Sequence, residues 1–334
     1  MRVGIIGCGA IAARAHIPAF ARAGATLVAV ADIDISRAKA LAKKFSVPAV
    51  YSDYHELLAE DVEMVAICTP PKTHAQIAID AADKGKHILL EKPMTTSLED
   101  AKRVVNACRL NKIKLCMVHE FRFFPCVQEA KKRISSGKLG NILSIEMISH
   151  PQFPMRWTDS TWFYDKWNLL DDMGVHIIDI LGYLTDWIPP RTVSAVARDA
   201  TGNMGFFNQI QAIIELVNSC AVYLNLSYVT GTYEMTGRIF GTAGKIEVDV
   251  TNNYLSEIHG YITPIDELSS TIRKSWRTAG AIITKAYFRG SLNYYDVVIP
   301  SFLNSIAQGT DPPVGPEEGM WVVDFVQRIK DSVR

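Results

Sequence analysis

Val3-Gly4-Ile5-Ile6-Gly7-Cys8-Gly9-Ala10-Ile11-Ala12 decides how the first third of the chain is read. Val3–Ile6 is a short apolar β run, and an amphipathic helical pattern, Ala10–Ala23, follows the two glycines. A G-x-G-x-x-A turn between a strand and a helix has a definite use. Gly7 permits the tight turn, and Gly9 lets the backbone approach a pyrophosphate. Ala12 is small enough for helix and strand to pack closely, so that a phosphate meets the helix N-terminus, where Ala10 and Ile11 stand. Asp32 lies twenty residues beyond Ala12 and ends the second β run. A carboxylate there accepts hydrogen bonds from the adenosine ribose hydroxyls and repels a 2′-phosphate, which favours NAD and leaves NADP possible. Arg37 either softens that preference or is a solvated residue in the first turn of the next helix.

Outward from this turn, β runs and helical patterns alternate to about residue 118. The runs are Val3–Ile6, Leu27–Ala31, Met64–Cys68, His87–Leu90 and Leu115–Val118. The helical patterns are Ala10–Ala23, Ser36–Phe45, Thr73–Lys84 and Leu98–Asn111, the last with Ser97 at its N-cap position. Runs nearly continuous in Val, Ile, Leu and Ala suit parallel strands covered on both faces. The alternation predicts an α/β doubly wound parallel sheet over residues 1–121.

The pattern changes after residue 121. A helix over Cys126–Ser136, a strand over Ile142–Ser149 and a Trp-rich stretch precede a helix over Leu170–Leu184. Long β patterns fill Thr192–Glu257, with turns at Asn218-Ser219 and Gly241–Gly244, and predict a mostly antiparallel sheet. Helical patterns near Thr278–Ala286, Tyr294–Gln308 and Glu317–Val333 close the chain. Residues 122–334 are therefore assigned to a second α/β domain for substrate binding and oligomerisation.

A chain of 334 residues is longer than one core usually covers, which agrees with two domains. Lys+Arg and Asp+Glu both number 35, so no net charge draws the chain to nucleic acid or anionic membrane. No apolar run reaches the roughly 20 residues of a membrane span. The apolar start breaks at Gly7, and Arg14 and His16 follow, unlike a secretory leader. Six scattered cysteines without a C-x-x-C pair suit a reducing cytoplasm. No histidine pair has metal-ligand spacing, so no metal is expected. The partner expected is a small molecule.

Two segments carry candidate chemistry. Glu91-Lys92-Pro93 follows the run His87–Leu90, at the strand ends that line the ligand crevice of a parallel sheet. Lys92 there is either a surface turn residue or a donor that steadies a developing alkoxide. On a helix, Asp172, His176, Asp179 and Tyr183 form a polar stripe at i, i+4, i+7 and i+11. A histidine between carboxylates at −4 and +3 is oriented as a general base is, or belongs to a solvated helix face. Trp157, Trp162, Phe163, Tyr164 and Trp167 form either a wall for sugar C–H faces or packing. His119 and Arg122 lie at the domain junction and can bind hydroxyls.

Together these segments resemble the glucose–fructose oxidoreductase/inositol dehydrogenase (Gfo/Idh/MocA) family. The likeness rests on the glycine motif, Thr69-Pro70 with His74, Gly85-Lys86-His87 leading into Glu91-Lys92-Pro93, and Asp172-x-Gly174-x-His176. It also includes Arg122 with Pro125, Gly137-x-x-Gly140, Gly241-Thr242-x-Gly244 and Pro312-Pro313-Val314. The resemblance implies a Rossmann domain, then an α/β domain whose open antiparallel sheet forms subunit contacts in homodimers or homotetramers. It implies that Lys92, Asp172 and His176 form the catalytic group, with Lys92-Pro93 a cis peptide. Thr69, Pro70, His74 and Glu91 would border the nicotinamide and its ribose. One stretch departs from the family pattern: Asp165–Asp171 is bulky where many members are glycine-rich. The function expected is oxidation of a secondary hydroxyl of a sugar, sugar derivative or cyclitol by hydride transfer to NAD. Alternatives are a redox glycosidase, which returns the hydride, and a non-catalytic sugar sensor on the same fold.

Overall fold

The computed structural model describes residues 1–153, 165–259 and 294–333, together with Leu268, Ile272, Ser275 and Trp276. The chain forms two compact units, Met1–Glu120 with Leu292–Val323, and Phe121–Ser291 with Asp324–Arg334.

In the first unit, strands β1 (Arg2–Ile6), β2 (Thr26–Ala31), β3 (Ala49–Tyr51), β4 (Met64–Ile67), β5 (His87–Leu90) and β6 (Leu115–Met117) form one sheet. Their order is β3-β2-β1-β4-β5-β6, and every pairing is parallel. The order reverses between β1 and β4, the switch point where ligands bind in such sheets. The continuous apolar runs predicted this burial: Val65, Ile67, Ile88 and Leu90 are wholly buried.

The connecting helices are α1 (Ile17–Arg22), α2 (Ile35–Phe45), α3 (Tyr54–Ala59), α4 (Pro71–Asp83) and α5 (Leu98–Leu110). Ser97 caps α5, its Oγ accepting from Asp100 N at 3.1 Å. The helix expected over Ala10–Ala23 runs from Ala10 to Arg22 and includes a π-helical turn, Ala12–His16, before α1. Pro18 has no N–H for the carbonyl of Arg14, so a regular i→i−4 ladder cannot pass through it. β3 and α3, of three and six residues, are too short to show a period in sequence.

In the second unit, α6 (Pro125–Ser135) precedes β7 (Ile142–His150), and α7 (Val175–Leu184) precedes the sheet strands that follow. These are β8 (Pro190–Arg198), β9 (Gln209–Leu216), β10 (Ala221–Ser227), β11 (Glu234–Gly241), β12 (Gly244–Asp249) and β13 (Tyr254–His259). The order is β13-β12-β11-β7-β10-β9-β8, with only the β7–β10 pairing parallel. β9 shows the alternation of a half-covered sheet: Ile210, Ala212, Ile214 and Leu216 are buried, while Gln211 and Ile213 are exposed. Ser219, at the Asn218-Ser219 turn, has φ +66°.

α8 (Tyr295–Gln308) and the start of α9 (Pro316–Ser332) belong to the first unit. The sequence division kept all of 122–334 in one domain, whereas Leu292–Val323 returns to the first unit. Side-chain pairs fix this return: Arg22 Nη2 lies 2.5 Å from Asp296 Oδ1, and Tyr295 donates to Glu91 at 2.8 Å. Among the described residues no helix is long and apolar enough to cross a membrane.

Candidate active site

The first unit builds a nucleotide cradle from the β1 turn. Gly7 has φ +93°, and a Cβ there would lie 2.7 Å from the Cys68 carbonyl carbon, so only glycine fits. At Gly9 a Cβ would meet nothing within 4 Å, which leaves open space over the turn. Asp32 is pinned at both oxygens: Oδ2 accepts from Cys8 N at 2.7 Å and Oδ1 from Asp34 N at 2.9 Å. The acid therefore ties the end of β2 to the glycine turn. A close-packed turn, open space at its second glycine and a carboxylate fixed beside it fit a dinucleotide. Burial, helped by the charge of Asp32, pushes the Cys8 thiol up to about 12. Arg37 Nε lies 3.2 Å from Asp34, so its charge is directed to that side chain.

Strand ends β4 and β5 carry the next residues. Thr69 and Pro70 lead into α4, and Thr73 Oγ1 donates to Thr69 Oγ1 at 2.8 Å. His74 is buried, with Nδ1 2.8 Å from Pro93 O and Nε2 2.8 Å from Thr69 O. Its ring thus joins the β4 turn to the β5 turn. Burial pushes its pKa down, although the two carbonyls favour the charged form.

Glu91 is also buried. Its Oε1 takes bonds from His16 Nε2 at 2.7 Å and Tyr295 Oη at 2.8 Å, and its Oε2 from Lys92 N at 3.2 Å. Burial alone would raise the carboxyl. The bonds from His16 and Tyr295, with the Lys92 charge, overcome that and hold it below the usual range. His74 and Glu91, expected to border the nicotinamide and ribose, have polar atoms that tie the two turns together. Lys92, half-buried, begins a cis peptide with Pro93. His119 is buried just beyond β6.

The second unit supplies the helix that begins in a π-helical turn, Leu170–Gly174, and continues as α7. Gly174 has no room for a side chain: a Cβ would lie 2.7 Å from Leu170 Cδ1 and 3.1 Å from Leu226 Cδ1. Its absence lets this turn pack closely on β10. Asp172 is partly exposed, and its Oδ2 accepts from Tyr228 Oη at 3.4 Å. His176, one turn on, is buried and stacks on Phe121 with centroids 4.3 Å apart and planes at 17°.

The rest of the predicted stripe is drawn elsewhere. Asp179 is held by Arg122 through Nε at 3.0 Å and through Nη2, with both side chains at most 2% exposed. The Arg122 guanidinium also lies 4.8 Å from the Trp187 ring centroid. Arg122, expected to bind substrate, is buried against Asp179. Tyr183 Oη donates to Gln128 at 3.1 Å. Asp171 meets Lys330 at 2.7 Å, although burial raises its pKa despite that cation.

Trp167 packs edge-on to Phe207 at 4.8 Å, while Trp157, Trp162, Phe163 and Tyr164 lie outside the described residues. The sequence reading missed His16, Tyr295, Asn168 and Tyr228. His16 and Tyr295 reach Glu91 across 75 and 204 residues, a pairing no local spacing signals.

Comparison with known proteins places these features in context. Residues 1–119 match the model of an oxidoreductase family with an NAD-binding Rossmann fold, and residues 127–247 match the GFO/IDH/MocA C-terminal domain. Levoglucosan dehydrogenase of Pseudarthrobacter phenanthrenivorans is 28% identical over 251 residues, 69% of this chain and 62% of that protein. D-xylose 1-dehydrogenase (NADP(+)) 2 of Haloferax volcanii is 25% identical over 339 residues, 99% of this chain and 97% of the relative. The fold matches that of the WlbA dehydrogenase from Bordetella pertussis, solved in complex with NADH and UDP-GlcNAcA. The TM-score is 0.85 at 23% identity, over 100% of this chain and 95% of that one.

Proposed function

Because the chain belongs to the GFO/IDH/MocA family of NAD-binding oxidoreductases, we propose that it oxidises a secondary hydroxyl of a sugar, sugar derivative or cyclitol. The carrying observation is that Asp172 and His176 stand one turn apart on a single helix, in a chain that also keeps Lys92 directly after β5. The relatives named as sugar dehydrogenases support the substrate class.

His176 takes the hydroxyl proton, Asp172 orients base and substrate, and Lys92 steadies the alkoxide by a charged hydrogen bond. Gly7, Gly9, Ala10, Ile11, Ala12 and Asp32 hold the dinucleotide. NAD, when bound, supplies the ring that accepts the hydride. Thr69 and Pro70 shape the β4 turn beside it, and His119 contributes to the substrate side.

The chain acts as a homodimer or homotetramer in this reading. Ile213 and Tyr223, paired across β9 and β10, are 61% and 45% exposed on the outer sheet face, and Val196 on β8 is 60% exposed. Apolar groups at such density suit a subunit contact. The free cysteines, all buried, suit a cytoplasmic setting.

NADH formation against a panel of inositols, aldoses, glycosides and nucleotide-sugars tests the function. A sustained rise at 340 nm with one class is the expected outcome. Product formation without net NADH would identify a redox glycosidase instead, and binding without turnover a sensor.

A further inference from the structure

We propose that Tyr228 is a positioning residue that holds the Asp172 carboxylate through its phenol, and that Asn168 sets the direction of the phenol proton. The proposal rests on the reading of Asp172 given above. Tyr228 follows β10 and is buried. Its hydroxyl lies 3.3 Å from Asn168 Oδ1 and 3.4 Å from Asp172 Oδ2. A phenol has one proton, so it cannot donate to both oxygens.

The Asn168 amide resolves the conflict. Asn168 is 1% exposed, and its Nδ2 is buried with no hydrogen-bond partner among the described residues. Oxygen and nitrogen of an amide are assigned from their surroundings, and here the surroundings favour the turned amide. With NH₂ toward Tyr228, the amide donates to the phenol oxygen and the phenol donates to Asp172. Both contacts then become hydrogen bonds, and the atom left over is a carbonyl oxygen rather than an unpaired N–H. The result is a one-way chain from Asn168 to Tyr228 to Asp172.

The surroundings keep that chain in place. Phe153 lies edge-on to the Tyr228 ring at 5.3 Å and Phe206 at 6.5 Å. Burial, reinforced by the Asp172 charge, pushes the phenol far above its ordinary value, so Tyr228 remains a donor throughout the working range. Asn168 comes from the bulky lead-in to the Asp172 helix, and Asn168 N is anchored at 3.0 Å on Asp165 O. A glycine at that position would leave the phenol proton free to turn away.

Steady-state kinetics, NADH fluorescence titration and thermal melting test the proposal on the full-length protein. Tyr228→Phe is expected to lower kcat by about 10–100-fold, the worth of one hydrogen bond to a charged group. NADH binding should stay within about twofold, since Tyr228 lies outside the nucleotide cradle. Asn168→Asp should slow turnover at least tenfold more than Asn168→Ala, because an acceptor-only side chain draws the phenol proton off Asp172.

In an Asp172→Asn background, Tyr228→Phe should cost nothing further. A purely structural tyrosine would lower the melting temperature and leave kcat intact, or slow both backgrounds equally, and either result overturns the proposal. Should Tyr228→Phe not fold, equal rates for the two Asn168 variants would overturn it. If Asp172→Asn is inactive and Tyr228→Phe is silent, only this proposal fails. If Asp172→Asn keeps full kcat, the reading of Asp172 fails, and this proposal fails with it.

Discussion

His16 Nε2 lies 2.7 Å from Glu91 Oε1, and both side chains are buried, with Lys92 the next residue in the chain. The carboxylate takes a second bond from Tyr295. Buried ionised acceptors stay charged only while such donors remain. Tyr295→Phe should therefore lower stability by about 1.5–3 kcal/mol, the usual worth of a bond to a charged group. His16→Ala should cost more, since it also leaves a cavity. Urea unfolding measures both, and a loss below about 0.5 kcal/mol would show that Glu91 does not depend on them.

The proposed preference for NAD rests on Asp32. Wild type should show the higher kcat/KM with NAD, and Asp32→Ser should narrow the gap at least tenfold, about 1.4 kcal/mol. Arg37 sits against Asp34 and so does not offset the Asp32 charge. Rates measured with both cofactors decide it, and a wild type that favours NADP tenfold would refute the assignment.

Arg122 and Asp179 form a buried two-point ion pair. Removing one partner strands the other charge, so Asp179→Asn or Arg122→Met should each cost about 3–5 kcal/mol. The double change to apolar residues of similar volume should recover most of that loss. Equal destabilisation by the single and double variants would contradict a paired role.

Turnover and cofactor binding should separate at Lys92 and His176. Lys92→Ala is expected to lose turnover while NADH titrates normally. His176→Ala should lose about 10²–10⁴-fold of kcat, the typical contribution of a positioned base. For oxidation the imidazole must begin neutral, so the wild-type kcat/KM rises with pH along one limb. A His176→Ala enzyme that keeps both rate and limb would move the base to another group.

Asp199 gives a pH-dependent stability. Its carboxylate accepts from the backbone N–H groups of Thr201, Gly202, Met204 and Gly205 and from Asn208 Nδ2. Desolvation is the largest single influence and raises its pKa, but these bonds together outweigh it and hold the carboxyl well below the usual carboxylate range. The folded state thus binds fewer protons than the unfolded one. Stability from this loop is present above the ordinary Asp pKa and is lost as pH falls through the lowered value. Wild type should therefore lose melting temperature faster than Asp199→Asn on acidification below about pH 4. Parallel acid melting curves would contradict this.

How much of this was legible in the sequence depends on range. The β1 turn, the parallel strands and the Asp172–His176 helix were readable, because each is set by neighbours a few residues apart. The Arg122–Asp179 pair was not, because the stripe rule places Asp179 beside His176 and cannot register a guanidinium 57 residues upstream. The same holds for the internal bonds of His74 and Glu91, whose partners come from other turns and a distant helix. β3 and α3 escaped because periodicity needs more residues than they have.

The return of Leu292–Val323 to the first unit bears on how the protein is made. Met117 N bonds to Val314 O, which brings the far segment to the edge strand β6. On the ribosome, the nucleotide-binding half therefore waits, with Glu91 lacking Tyr295 and β6 lacking the Val314 bond, until Leu292–Val323 has emerged. A stop codon anywhere before residue 292 would leave the first unit without these partners, although its whole parallel sheet would already have been made.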